Sequence, residues 1–181
     1  DHRDLHSFPT RRSSDLSKIC KIIGSRPPEN LIYELFLDEN AEKISKSKGN
    51  GISIDDWLKY SIEESLSMFM YQRPTTAKKL FFDVIPKNTD EYLSHLNKLN
   101  EAENPDNPSW HIHKSKNPKY LSKINYSLIL NIISVCKSEN PDVIWGLIKN
   151  YQSDFSEVEN NYINRMISCG INYFQDFIQP N

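Results

Sequence analysis

Residues 43–50 combine side chains that could bind a polyphosphate. The stretch reads Lys-Ile-Ser-Lys-Ser-Lys-Gly-Asn, so three lysines alternate with an isoleucine and two serines before a glycine follows. A lysine ammonium is a compact charge on a flexible stem, and such charges stabilise the negative charge that develops as a phosphoryl group or its leaving group departs. On charge alone, a solvated basic turn is the more common explanation. We call residues 43–50 the lysine loop.

The order of residues in the lysine loop resembles the KMSKS signature of class I aminoacyl-tRNA synthetases. Residues 43–47 match it with Ile44 in place of methionine, and an apolar residue at this position keeps the role of anchoring the loop. The flanking sequence is similar to class I lysyl-tRNA synthetases over roughly residues 20–115. The flanking segments that carry this likeness are residues 33–38, 49–58, 64–74, 77–86 and 108–113.

The resemblance implies that residues 43–47 bind ATP. Lys43 and Lys46 would be the catalytic lysines, which contact the β- and γ-phosphates while the carboxylate of a lysine substrate attacks the α-phosphorus. Ser45 and Ser47 would support the loop or donate hydrogen bonds to phosphate oxygens.

The resemblance also implies a hinge beside this site. Gly49 and Gly51 would supply the backbone freedom that lets the loop close. A helix that begins near Ile54 would add a modest preference for anions through the positive end of its dipole.

For the parent protein, the resemblance implies ligation of lysine to tRNA(Lys) in the cytoplasm, with ATP and Mg²⁺ as cofactors and without a DNA or membrane partner. A non-catalytic helical RNA-binding or interaction module with a vestigial loop is the alternative, and the flanking residues disfavour a glutamyl-type enzyme. No His-x-Gly-His motif occurs in the sequence. We therefore expect residues 17–181 to be an interior or C-terminal fragment that does not form lysyl-adenylate alone, and the upstream coding sequence would decide between the alternatives.

A second group of basic and aromatic residues follows the middle of the chain. Such a group could contact RNA phosphates and stack a base, although a solvated helix face is the other explanation. The candidate tRNA-binding residues are Lys114, Lys116, Lys119, Tyr120 and Lys123, with Tyr126 close behind.

The sequence Trp-His-Ile-His at residues 110–113 invites a metal site, but no third ligand lies nearby at a suitable spacing. We expect no metal there. The segment is instead predicted to be a loop in which Trp110 and Ile112 pack inward while His111 and His113 face solvent, with tRNA contact as the alternative.

Composition limits the remaining possibilities. The chain has 181 residues and a net charge of −2 from 22 basic and 24 acidic side chains, so any RNA binding must come from local patches. No apolar run approaches the roughly 18–20 residues of a membrane span. Cys20, Cys136 and Cys169 form no Cys-x-x-Cys pair, which predicts reduced thiols.

The pattern of elements predicts a mostly α fold. By resemblance, residues 17–60 would be the end of a Rossmann-like catalytic domain, with a short β-hairpin and the KMSKS loop. Residues 61–113 would form a helical stem-contact region, and residues 114–181 part of an α-helical anticodon-binding domain. Residues 1–16 lack helical periodicity and resemble translated sequencing-adapter sequence or a disordered tail, while their aspartates argue against a mitochondrial-type presequence.

Local signals predict where the elements begin. An apolar strand over residues 31–37 would return along residues 42–44. Capping boxes are predicted at Ser61 with Glu64 and at Ser156 with Glu159. The other helices are predicted to begin at Ser53, Thr76, Thr89, Asn117 and Asn140.

Overall fold

The computed structural model describes residues 8–29, 33–45, 47–102, 104–113 and 116–179, with only the backbone for residues 8–14. The described chain is mostly helical, which confirms the predicted fold class. The α-helices are α1 (Phe8–Ile22), α2 (Ile54–Tyr60), α3 (Glu63–Tyr71), α4 (Val84–Glu101), α5 (Pro108–His113), α6 (Tyr126–Cys136), α7 (Pro141–Ile148) and α8 (Glu157–Tyr173). Strands β1 (Phe36–Leu37) and β2 (Lys78–Lys79) and a π-helix (Phe174–Ile178) complete the set.

The predicted β-hairpin is present only around the turn. Leu37 and Lys43 form a single antiparallel bridge, and the Ile44 amide donates to the Phe36 carbonyl over 3.1 Å. The beginning of the predicted strand, at Leu31 and Ile32, lies outside the described residues. The principal partner of β1 is β2, which runs parallel to it with Phe36 opposite Lys78.

Strand β2 replaces a predicted helix. The predicted helix that begins at Thr76 is wrong, because the amides of Lys78 and Leu80 donate to the carbonyls of Leu35 and Leu37. These hydrogen bonds join segments about forty residues apart in sequence, so no local pattern indicates them.

Several helix starts agree with their local signals. Ser53 and Ser156 each form a complete capping box, with Asp56 and Glu159 respectively. The side chain of Asn140 caps α7, whose first turn contains proline. These starts confirm the predictions that rest on side-chain capping.

Other predicted starts are wrong. Ser61 does not cap α3; its hydroxyl instead makes buried hydrogen bonds with Ser65 (2.8 Å) and Thr89 (2.6 Å). Helix α4 runs unbroken from Val84, so no helix begins at Thr89. Helix α6 begins after its cap Asn125 rather than at Asn117.

Helix α1 covers part of the segment that was expected to lack regular structure. That expectation is wrong for residues 8–16, where the backbone is helical. Pro9 lies in the first turn of α1, and a proline there removes no intrahelical hydrogen bond. The adapter origin of residues 1–16 stays a prediction.

Helices α2 to α8 and the π-helix share one hydrophobic core. Helix α8 contacts α2, α6 and α7, and α4 contacts α3, α5 and α6. The core therefore crosses both predicted domain boundaries, at residues 60/61 and 113/114. Its largest fully buried side chains are Trp57, Tyr92, Tyr120, Tyr126, Ile62, Met68, Ile85, Leu96, Ile124, Ile129, Ile133 and Ile144.

No described helix has the length and apolar character needed to cross a membrane.

Candidate functional site

Ile44, near the start of the lysine loop, packs closely against Gly51, which directly follows the loop. A Cβ atom added to Gly51 would lie only 2.7 Å from Cγ2 of Ile44. Glycine at position 51 therefore permits the close approach of Ile44, while its proposed role as a hinge stays a prediction. The contact gives the isoleucine of the motif the anchoring role expected of its apolar second residue.

The loop turns tightly between Ile44 and Gly51. The amides of Lys48 and Gly49 both donate to the Ser45 carbonyl, over 3.2 and 3.1 Å. Gly49 has φ 64°, a left-handed conformation that favours glycine. The hydroxyls of Ser45 and Ser47 lie 3.3 Å apart. Lys46, the second lysine of the motif, lies outside the described residues.

The side chains of Asp38 and Asn50 hold the turn through hydrogen bonds, and we call this pair the brace. The Asn50 side chain donates to Asp38 Oδ2 over 2.7 Å and accepts from the Ser45 amide over 3.1 Å. The other oxygen of Asp38 accepts from the amides of Asn40 and Glu42. The Asn50 hydrogen bond, followed by that from Glu42, lowers the pKa of Asp38.

Asp38 and Asn50 are functional candidates that the sequence analysis missed. An aspartate followed two residues later by asparagine is a signal for a turn that the side chain closes onto its own backbone. That signal indicates the turn at residues 38–42. It carries no information about Asn50, which lies twelve positions further along the chain.

The lysines of the loop differ in their surroundings. The Lys48 ammonium lies 2.9 Å from Glu42 Oε2, and this exposed ion pair raises the pKa of Lys48. Lys43 is exposed and is the first residue of the loop, where it forms the β-bridge with Leu37. The lysine outside the five-residue motif is therefore paired within the chain.

The amino-terminal end of α2 is already occupied by carboxylates. Ser53 Oγ accepts from the Asp56 amide over 3.0 Å, and the Asp56 carboxylate accepts from the Ser53 amide over 2.9 Å. Asp55 adds another negative side chain to the first turn. These carboxylates would compete with a bound anion for the donors and the dipole of this helix end, and the predicted anion preference there stays a prediction.

A cleft of about 450 Å³ lies beside the loop. Its lining includes Asp38, Asn50 and Gly51 together with Phe82 and Phe177. The cleft brings the lysine loop next to the segment before α4 and to the π-helix.

The second basic group has exposed lysines but no exposed tyrosine. Lys116, Lys119 and Lys123 are exposed, whereas Lys114 lies outside the described residues. Tyr120 is 0% exposed, and its hydroxyl donates to the Ile124 carbonyl. The prediction that Tyr120 stacks an RNA base is therefore wrong, because its ring belongs to the core.

Tyr126 is enclosed in the same way. It is 0% exposed, and its hydroxyl donates to the Tyr60 carbonyl over 2.6 Å.

The two histidines of the Trp-His-Ile-His segment have different environments. The segment is part of helix α5, so the predicted loop is wrong. His111 is exposed and stacks on Tyr71 with ring centroids 5.1 Å apart. His113, which was predicted to face solvent, lies 2.9 Å from the Tyr92 hydroxyl, and burial lowers its pKa.

Within the described parts of the chain, no group of three or more His, Cys, Asp or Glu side chains could hold a metal ion.

The sequence model of the family described as "tRNA synthetases class I (K)" matches residues 4–116. The chain belongs to this class I tRNA synthetase family. The match contains the lysine loop, Asp38, Asn50 and helices α2 to α5, and it also overlaps residues 4–16, whose sequence resembles adapter sequence.

Relatives extend the similarity of this class I synthetase chain beyond the family match. A Lysine--tRNA ligase of Rickettsia rickettsii (strain Sheila Smith) is 51% identical over 170 residues, which are 91% of this chain and 33% of that protein. A Lysine--tRNA ligase of Rickettsia bellii (strain OSU 85-389) is 49% identical with the same coverage. The chain therefore spans about a third of the length of these curated relatives. No solved structure matches the chain significantly.

Proposed function

We propose that this chain is part of a lysine–tRNA ligase and that its lysine loop handles the phosphates of ATP. The observation that carries the proposal is the KMSKS-type order of residues 43–47 on a turn braced by Asp38 and Asn50. Similarity to lysine--tRNA ligases along 91% of the chain supports the choice of substrates. Residues 17–60 would then close the catalytic domain, residues 61–113 would contact the tRNA stem, and residues 114–181 would face the anticodon.

In the proposed reaction, a carboxylate oxygen of lysine attacks the α-phosphorus of ATP. The bond between the α-phosphorus and the bridging oxygen breaks, so pyrophosphate leaves and lysyl-adenylate forms. A hydroxyl at the 3′ end of tRNA(Lys) then attacks the lysyl carbonyl carbon, and AMP leaves. The ammonium groups of Lys43 and Lys46 would stabilise the charge that develops on pyrophosphate.

Mg²⁺ enters this proposal with the nucleotide. Mg²⁺ keeps several waters and binds through one or two carboxylates together with substrate phosphates. Mg–ATP would therefore be the substrate form that the loop meets. We place the enzyme in the cytoplasm, as the resemblance implies.

Single substitutions in the full-length protein test the role of the loop. Lys46→Ala should lower the rate of adenylate formation by roughly 10²–10³ with a much smaller change in ATP binding, because the contact strengthens in the transition state. Arginine at position 46 should restore activity only in part, because its planar fork does not reproduce a compact charge.

Lys48→Ala is the matched control, since it also removes one positive charge from the loop but breaks only the exposed pair with Glu42. Pre-steady-state adenylate formation at saturating ATP measures each variant, with lysine and glutamate compared as substrates. Equal losses at positions 46 and 48 would reduce the motif to a generic basic turn. Exchange of pyrophosphate that depends on glutamate and not on lysine would show that glutamate is the amino-acid substrate.

We also propose that the exposed lysines after α5 contact tRNA phosphates. Lys116, Lys119 and Lys123 lie on one irregular segment between α5 and α6. Because Tyr120 and Tyr126 are buried, this contact is electrostatic rather than a base-stacking site.

Salt dependence tests this contact. Alanine at positions 116, 119 and 123 together should weaken tRNA binding and reduce the slope of log K against log[salt] by about two to three units. Alanine at Lys98 of α4 and at Lys137 and Lys149, which are the exposed cap residues after α6 and α7, removes the same net charge and is the control. If the two triple variants have the same slope of log K against log[salt], the loss of net charge alone explains the reduced slope.

A further inference from the structure

The carboxyl-terminal end of α2 is held by side chains from distant helices. The last four carbonyls of a helix have no partner within it, and in α2 all four accept hydrogen bonds. The Trp57 carbonyl accepts from the Ser61 amide over 2.9 Å. The next three accept from Cys169 Sγ (3.9 Å), Asn172 Nδ2 (3.0 Å) and the Tyr126 hydroxyl (2.6 Å).

A carboxylate of the π-helix also contacts the carboxyl-terminal end of α2. Asp176 Oδ2 lies 2.6 Å from the Lys59 ammonium and accepts from the Tyr60 hydroxyl over 2.7 Å. The Tyr60 ring packs edge-on against Phe177, with centroids 5.0 Å apart. Asp176 thus connects the last two residues of α2 to the π-helix that follows α8.

The other end of α2 leads into the lysine loop. Ser53, the cap of α2, is only two residues from Gly51, where the loop closes against Ile44. A helix of seven residues is about 10 Å long, and Trp57 in its middle is 1% exposed. Helix α2 is therefore a short rigid connection between the loop and the helical body.

We propose that Asp176 and Asn172 are positioning residues for the lysine loop, acting through α2. The proposal rests on the phosphate-handling function proposed above. Because α8 and the π-helix hold α2, the position of the loop relative to a bound nucleotide is set by the helical body. A displacement of about 1 Å in such a group is enough to cost roughly 10²-fold in rate.

Hydrogen exchange of the 181-residue chain tests the physical connection without any activity. Asp176→Ala should speed exchange of the hydrogen-bonded amides of Ser45, Lys48 and Gly49 by about three- to tenfold, as expected for the loss of one exposed ion pair and one hydroxyl hydrogen bond. Asn172→Ala should act in the same direction. Asp176→Asn keeps an acceptor for Tyr60 and should restore part of the protection.

Asp106→Ala, which removes an exposed carboxylate in the turn before α5, is the control and should leave the loop amides unchanged. The proposal is overturned if the loop amides keep their wild-type rates in Asp176→Ala. It is equally overturned if amides of α4 accelerate as much as those of the loop, because that pattern reports general destabilisation.

Kinetic measurements on the full-length enzyme provide a second test. Asp176→Ala should lower kcat for adenylate formation with little change in the KM for ATP and in the melting temperature, whereas an unchanged kcat overturns the proposal. If the wild-type enzyme shows no lysine-dependent exchange of pyrophosphate, the proposed function fails. The hydrogen-exchange experiment still tests whether Asp176 positions the loop.

Discussion

At the scale of single residues, the lysine loop depends on neighbours that are not lysines. Gly49 closes its turn, Ile44 packs against Gly51 directly after the loop, and Asp38 and Asn50 brace it. The lysines provide the charge for the proposed chemistry, whereas these other side chains determine where that charge is held. Substitutions at Gly49 and Gly51 should therefore destabilise the chain for different reasons.

We expect Gly51→Ala to destabilise the chain by about 1–3 kcal/mol through overpacking against Ile44. Ile44→Met removes the γ2 methyl group that the new Cβ would meet, so the cost should fall in that background. Gly49→Ala should cost about 1–2 kcal/mol through its left-handed backbone, whatever residue is at position 44. Urea unfolding of the single and double variants measures the coupling, and additive costs at positions 44 and 51 would contradict the packing explanation.

The brace should also respond to acid. Hydrogen bonds lower the pKa of Asp38 from its usual 3.8, so the stability contributed by the folded carboxylate is fully present above 3.8 and is lost as the pH falls through the lower, folded pKa. Loop amides should lose protection in that window after correction for intrinsic exchange rates. Asp38→Asn should abolish this pH dependence; a loop with the same acid response in both proteins would exclude Asp38 as its source.

At the scale of elements, β2 supports α3 as well as pairing with β1. The Lys78 ammonium donates to the carbonyls of Phe69 and Gln72 at the end of α3. It also lies 4.9 Å from the centroid of the Phe69 ring. Burial lowers the pKa of Lys78, and the carbonyls replace part of its lost hydration.

Lys78→Met should therefore destabilise the chain by about 1 kcal/mol, a value already reduced for the partial exposure of the ammonium. Lys79→Met is the matched neighbour, because Lys79 is exposed and donates to the single carbonyl of Glu39 over 3.0 Å among the described residues, and it should have a smaller effect. Thermal unfolding followed by circular dichroism compares the two variants. Equal shifts would show that the caps on α3 contribute nothing beyond the loss of a charge.

At the scale of the whole molecule, one core joins the segments that the resemblance assigns to separate regions. Trp57 of α2, Tyr92 of α4 and Ile133 of α6 belong to the same buried cluster. Elements that share a core unfold together in small proteins. The predicted boundaries at 60/61 and 113/114 would then mark regions of different function within one cooperative unit.

This cooperativity has a direct test. Ile133→Ala should cost about 2–5 kcal/mol, as expected for a buried aliphatic side chain. In a variant whose only tryptophan is Trp57, with Trp110 and Trp145 replaced by phenylalanine, fluorescence and circular dichroism should report the same shifted midpoint. Separate midpoints would instead show that the two segments unfold independently.

The sequence by itself determined the features that depend on residues a few positions apart. These include the charge order of the lysine loop, the caps at Ser53, Asn140 and Ser156, and the mostly α class. A capping hydroxyl and its partner lie within three residues, and the apolar face of a helix repeats every three or four. Such signals can be read without knowledge of the rest of the chain.

Only the tertiary structure decided the features that join distant segments. It placed Tyr120 in the core beside Tyr162 and made a strand of Lys78 and Lys79. It also brought Asp176 to Lys59, which lies 117 positions earlier in the chain. A tyrosine between lysines has the same local pattern whether it is exposed or buried, because burial depends on which helices pack over it. Distant packing therefore determines both the burial of Tyr120 and the contacts that hold α2 behind the lysine loop.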